Sequence, residues 1–265
     1  EVVVGGVNIW KSTNGGSTWS NIGCWVGTGN PPFVHADIHE LEYTPSGTLY
    51  STNDGGVFLY TGSSWTDLTS PRNISQIYKI GLSSVSPNIW ITGHQDNGTM
   101  LYNGTNFVGA VGGDGMDCFI DRTTNSNMFA SLYYGGFRRS TNGGASWTTI
   151  VNGLPANGSG ANWVCPWKQD PFSASTLYAG YSQLYVSTNL GSSWTQLTNT
   201  GGSGYVIEFA IAPSNNQVIY VIHGTSIRKT TDAGTTWTNV SGNIPGGTAA
   251  PTFVTIDPND ENNVW

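Results

Sequence analysis

Histidines and carboxylates concentrate in one stretch of this sequence: His35, Asp37, His39, Asp54, His94, Asp96, Asp114 and Asp117. His35-Ala36-Asp37-Ile38-His39 alternates, so in an extended segment its three polar side chains would share one side. That arrangement suits a divalent metal ion, a sugar or peptide contact, or a hydrogen-bonded lining. Two histidines and one carboxylate begin a metal site without completing it, and nothing else in the chain calls for a cofactor. Two carboxylates facing one cleft are the minimum for acid/base hydrolysis of a glycosidic bond, about 5 Å apart in retaining chemistry and about 6.5–9.5 Å in inverting chemistry. A second set is aromatic: Trp25, Phe33, Tyr133, Tyr134, Trp163, Trp167, Tyr181 and Tyr205. Aromatic faces stack on sugars and anchor protein interfaces, although Trp163 and Trp167 suit packing between sheets equally well.

Composition narrows the classes. Only 9% of the 265 residues are charged, and nine Lys+Arg against sixteen Asp+Glu give a net charge of −7. Nucleic-acid affinity is built from clustered Lys and Arg, so no nucleic-acid partner is expected. No apolar run approaches the roughly 18 residues of a membrane span, and a soluble chain is expected. Gly112-Gly113-Asp114-Gly115 is read as tight turns, since no Lys follows and no strand-to-helix junction is predicted. Cys24, Cys118 and Cys165 lack CxxC spacing and are read as small buried residues, with a Cys118–Cys165 bridge as the lesser option. The chain opens at Glu1 without a basic or apolar leader, so any targeting segment is expected to have been removed or to lie outside it. A surface of Gly, Ser, Thr and Asn suggests a secreted or cell-surface protein. Sequons stand at Asn73, Asn97, Asn103, Asn157 and Asn239.

The elements that must position these residues follow from a repeat. Ser12–Trp19, Ser140–Trp147, Ser187–Trp194 and Thr230–Trp237 share the pattern S/T-x-D/N-x-G-x-S/T-W. Two degenerate copies are expected at Ser51–Gly55 and Tyr102–Phe107. The marker aromatics Trp19, Trp65, Phe107, Trp147, Trp194 and Trp237 are spaced by 46, 42, 40, 47 and 43 residues. Each unit holds two β-like runs before the box, a third strand entering it and a fourth opening at the Trp. Four short strands every 40 to 47 residues predict an all-β fold, a β-propeller of six four-stranded blades. The last blade would be shared between the two ends of a single domain over 1–265, leaving no open sheet edge. The rival expectation is a piece of a longer chain with seven or more blades.

The four boxes resemble the Asp-box, or BNR, repeat of sialidases, sortilin-type ectodomains and xyloglucan-hydrolysing propellers. The resemblance implies fold more strongly than function, because the box lies at the blade periphery in those families. Sialidase activity is disfavoured. That family needs three arginines converging on a carboxylate, and of Arg72, Arg122, Arg138, Arg139 and Arg228 the last three sit in strands entering boxes. His-x-Asp-x-His followed by Asn-Asp-Gly-Gly, Gln-Asp-Asn-Gly and Gly-Gly-Asp-Gly also resembles secreted BNR-repeat proteins of the Bacteroidetes type, which implies further domains of the same polypeptide.

In a propeller of this kind, loops between blades and loops between second and third strands open on one face. They include 23–37, 111–117, 153–163 and 242–252, together with 52–56, 93–98 and 133–136. Ligand contact is expected from Trp25, His94, Gln95, Asp96, Tyr134, Trp163, Trp167 and Tyr181. The leading reading is a recognition or scaffold module for a glycan or an extracellular protein. The alternative is a glycoside hydrolase: Asp54 and Asp114 loosely resemble Asp-bearing turns of the xyloglucan-cleaving propellers, with Asp37 and Asp96 next. In that family the cleft lies between two propellers, each giving one acid, whereas one propeller is expected here.

Overall fold

The computed structural model describes residues 1–26, 31–69, 75–242 and 250–265. Arg72, the Asn73 sequon and the central parts of the 23–37 and 242–252 loops lie outside the described residues. Strands dominate what is described, with two three-residue 3-10 turns at Tyr133–Gly135 and Ala156–Gly158. Five four-stranded antiparallel sheets, spanning 38–67, 77–111, 118–149, 167–196 and 206–239, each run in simple hairpin order. Val2–Gly5, Ile9–Ser12 and Ser20–Gly23 form a three-stranded sheet, and Ile256–Asp257 pairs with Asp260–Val264. The fold is a β-propeller. The chain divides into two compact units, Glu1–Ser75 and Gln76–Trp265.

Residue choice explains why the sheets stack. Val206–Ala212 and residues 218–222 of the strand Asn215–His223 are nearly continuous apolar runs, buried on both faces. Such strands need cover on each side, unlike the alternating strands of a sheet with one wet face. Neighbouring sheets supply it. Phe129 and Phe137 pack with Trp167, Leu177 and Trp194 from the next sheet, and Tyr178 and Leu184 pack with Phe209, Ile219 and Val221. In the N-terminal unit Ile9 and Ile22 pack with Val34, Leu49, Phe58 and Trp65. The fourth strands Thr148–Thr149, Thr195–Gln196 and Thr238–Asn239 are two exposed polar residues each. Short polar edges of this kind discourage pairing with another chain.

The four boxes fold alike. In the second, Ser140 Oγ accepts the amides of Asn142 and Gly144 at 3.3 and 2.9 Å, and Asn142 Oδ1 accepts the Ser146 amide at 2.9 Å. The same bonds recur around Ser12, Ser187 and Thr230. The residue after the Asn or Asp is left-handed every time, including Leu190 (φ 57°) and Ala233 (φ 53°). The box hydrogen bonds hold a conformation that side chains with a Cβ ordinarily avoid. Trp194 and Trp65 then reach the preceding sheet, donating to Ile150 O and Ile22 O, each at 2.7 Å. Trp19 departs from that role and is exposed.

One degenerate copy is corrected. Ser51–Gly55 makes the turn between the second and third strands of its sheet, whereas boxes join third and fourth strands. The equivalent connection there is the tight turn Thr61–Ser64, which places Trp65 at the head of the fourth strand. Tyr102–Phe107 is the shortened turn expected. All three cysteines are free and buried, so the Cys118–Cys165 bridge is not formed.

Candidate functional site

In the N-terminal unit the structure breaks the alternation predicted for His35, Asp37 and His39. Asp37 has φ 59° and the strand begins only at Ile38, so the three side chains do not share one extended face. His35 packs on Gly55 and sets Nδ1 3.3 Å from Ala36 O. His39 Nε2 bonds Asp54 Oδ1, and a carboxylate oxygen of Asp37 lies within 4.8 Å of one from Asp54. Asp37, His39 and Asp54 therefore come together. Two carboxylates this close suit a hard cation such as Ca²⁺, or the short spacing of a retaining glycosidase pair.

In the C-terminal unit Asp114 and Asp96 serve a turn. Asp114 Oδ1 accepts the Asp96 amide at 2.8 Å, which holds Asp96 at φ 60°. His94 is a correction. It is buried in its strand with Nε2 2.7 Å from Thr92 Oγ1, and burial pushes its imidazole below the usual range. Trp167 is another: only 1% exposed, it stacks on Phe137 at 4.2 Å and meets Phe119 and Phe129 edge-on. Its position at the head of the strand Trp167–Gln169 points it between sheets. Tyr181 is also buried, its hydroxyl donating to Gly135 O at 3.0 Å, so it supports the loop above.

Tyr133, Tyr134 and Trp163 form an open cluster. Trp163 stacks on Tyr133 with ring centroids 5.1 Å apart and planes 4° from parallel. Tyr134 meets both edge-on at 5.3 and 5.9 Å. Tyr133 and Tyr134 are 45% and 44% exposed, a large apolar surface to leave in water. Trp163 Nε1 donates to Tyr78 Oη at 3.2 Å, and Tyr78 donates in turn to Gln95 at 2.6 Å, so Gln95 orients the indole through a tyrosine. Trp25 is exposed as well, in the N-terminal unit.

Backbone strain holds Tyr134. It has φ 54°, and Asn157 in the facing loop has φ 53°. The Tyr134 amide donates to Trp163 O at 3.1 Å, and Gly158 lies so close to the Tyr134 carbonyl that a Cβ there would collide. Left-handed non-glycine residues cost about 1–3 kcal/mol each and gather where a surface has a task. Beside them opens a cavity of about 430 Å³ lined by Tyr133, Tyr134, Arg138, Thr149, Asn157 and Tyr181.

A second cavity, about 220 Å³, was not legible as a site from the sequence. The first strands Ile77–Leu82 and Val206–Ala212 bring Lys79 and Glu208 to its wall, and Asp117 joins them one residue before the strand Cys118–Ile120. Glu208 is buried between Lys168 Nζ at 3.1 Å and Lys79 Nζ at 3.7 Å. Asp117 stands at a crowded wall with part of its surface open. Burial pushes its carboxyl up to about 6, against the pull of the Lys168 and Lys79 ammoniums. The signal in the sequence was faint: a lone Glu inside the apolar run 206–212 and two of the chain's few lysines in first strands.

No family model matches the chain. A xyloglucanase of Hypocrea jecorina (strain QM6a) is 28% identical over 213 residues, covering 79% of this chain and 23% of its own length. This chain thus spans about a quarter of that relative. Among solved structures, an ancestral GH74 enzyme is similar at a TM-score of 0.59 and 18% identity, over 84% of this chain and 33% of its own. YCF48 from Cyanidioschyzon merolae is similar at 0.50 and 12%, over 99% and 88%. At these identities the structural likeness speaks for fold alone. Among the described residues no helix is long and apolar enough to cross a membrane.

Proposed function

We propose that this chain is an extracellular propeller of the Asp-box kind that recognises a glycan, a β-glucan of the xyloglucan class, through the Tyr133–Trp163–Tyr134 surface. The observation that carries the reading is the exposed, strain-locked aromatic cluster beside a cavity of sugar size. Pyranose rings present flat C–H faces, and rigid aromatic rings meet them at small conformational cost. The relative named xyloglucanase supports the ligand class, and its much greater length supports further domains in the same polypeptide. The test is retardation of the protein in a gel cast with xyloglucan. Tyr133→Ala should restore free mobility; unretarded wild type would dismiss the reading.

A second reading, glycoside hydrolysis, is favoured by one observation: the Asp37 and Asp54 oxygens lie within 4.8 Å. An upper bound of that size admits the roughly 5 Å separation of retaining enzymes. Reducing-sugar release from xyloglucan by the wild type, abolished in Asp54→Asn, would support it. A divalent cation bound by the same two carboxylates would instead leave hydrolysis undetected and raise thermal stability when Ca²⁺ is added.

A further inference from the structure

Four arginines are described, and three of them tie distant segments together. Arg122 Nε donates to Asp170 O at 3.2 Å, Arg139 Nη1 to Leu190 O at 2.6 Å, and Arg228 Nη2 to Gly201 O at 2.7 Å. Arg138 differs. Its Nη1 donates only to the carbonyl of its own neighbour, Phe137, at 3.2 Å, and among the described residues no carboxylate forms an ion pair with it. It is half-buried and lines the 430 Å³ cavity with Tyr134, Thr149 and Asn157.

A guanidinium is a planar fork whose N–H groups match a carboxylate, and a half-buried one gains most from such a partner. The cavity therefore offers one cation and neutral hydrogen-bonding groups beside an aromatic face. We infer that it is a subsite for a carboxylate-bearing sugar, a uronic acid residue in an acidic polysaccharide, with the carboxylate on Arg138 and the ring against Tyr134. This rests on the glycan-binding reading above and narrows its ligand.

The experiment compares binding of two oligosaccharides with the same β-glucan backbone, one neutral and one bearing glucuronate, to wild type, Arg138→Gln and Arg138→Lys. The acidic ligand should bind wild type about tenfold more tightly, lose that margin in Arg138→Gln, and keep part of it in Arg138→Lys, which cannot bond bidentately. The readout is the ratio of acidic to neutral affinity within each protein, so any contact that Arg138 makes with a neutral sugar cancels from it. In wild type alone, glucuronate should displace the bound acidic oligosaccharide better than glucose does, a readout independent of how the variants fold. Equal affinity for the two ligands, or a margin that survives Arg138→Gln, would overturn the inference while leaving glycan binding intact. Absence of binding by either ligand to wild type would overturn both.

Discussion

Trp163 and Tyr133 stand 30 residues apart in the sequence, yet their rings lie 5.1 Å apart with planes 4° from parallel. The pair is oriented from behind by Tyr78, whose hydroxyl accepts from Trp163 Nε1 and donates to Gln95. Tyr78→Phe removes that link while keeping the ring. Glycan affinity should fall about two- to fivefold, the cost of one modest hydrogen bond, with the melting temperature nearly unchanged. Calorimetric titration reads the first and a thermal melt the second.

Acid should stabilise this protein through Asp117. Burial pushes its folded value up to about 6 from an ordinary 3.8, so the folded state keeps a proton that the unfolded chain has already released. The contribution is complete below about pH 4 and is lost as pH rises through about 6, on the order of 3 kcal/mol in all. Urea midpoints measured from pH 4 to 8 should show this decline, and Asp117→Asn should flatten it.

Asp232 works in the opposite sense. The Thr230 and Thr236 hydroxyls bond its carboxylate and pull it down to about 2. Its contribution is present above the ordinary carboxylate value and lost as pH falls through about 2. The other three boxes use Asn14, Asn142 and Asn189 at this place. Asp232→Asn should therefore be near neutral at pH 7 and should lessen the loss of stability between pH 4 and 2, followed by circular dichroism.

The box serine matters more than its size suggests. Ser140→Ala removes the acceptor for two amides and should cost about 1–2 kcal/mol in urea unfolding. Trp167→Ala empties the space between Phe137, Phe119 and Phe129 and should cost about 3–5 kcal/mol. A ligand-contacting tryptophan would instead lose affinity with little loss of stability.

The boxes were legible because their bonds are local. Ser140, Asn142, Gly144 and Ser146 satisfy one another within six residues, so the pattern of side chains is the pattern of bonds. The site was less legible because it depends on which side of a sheet a residue meets. Trp163 and Trp167 are four apart, yet one precedes the strand and stacks half-buried on Tyr133 while the other opens the strand and is swallowed by the core. Asp54 was found through its Gly-rich turn, but its partners His39 and Asp37 depend on a left-handed residue that alternation alone does not reveal. Lys79, Lys168 and Glu208 meet only because three sheets bring their first strands together.

The most direct test of the account is a calorimetric titration of xyloglucan oligosaccharides into wild type and Trp163→Ala, with folding of both checked by thermal melting. Saturable binding to wild type is expected, with a loss of roughly ten- to thirtyfold in the variant, as when an aromatic anchor is removed. Binding that is unchanged in Trp163→Ala, or absent from wild type, would contradict it.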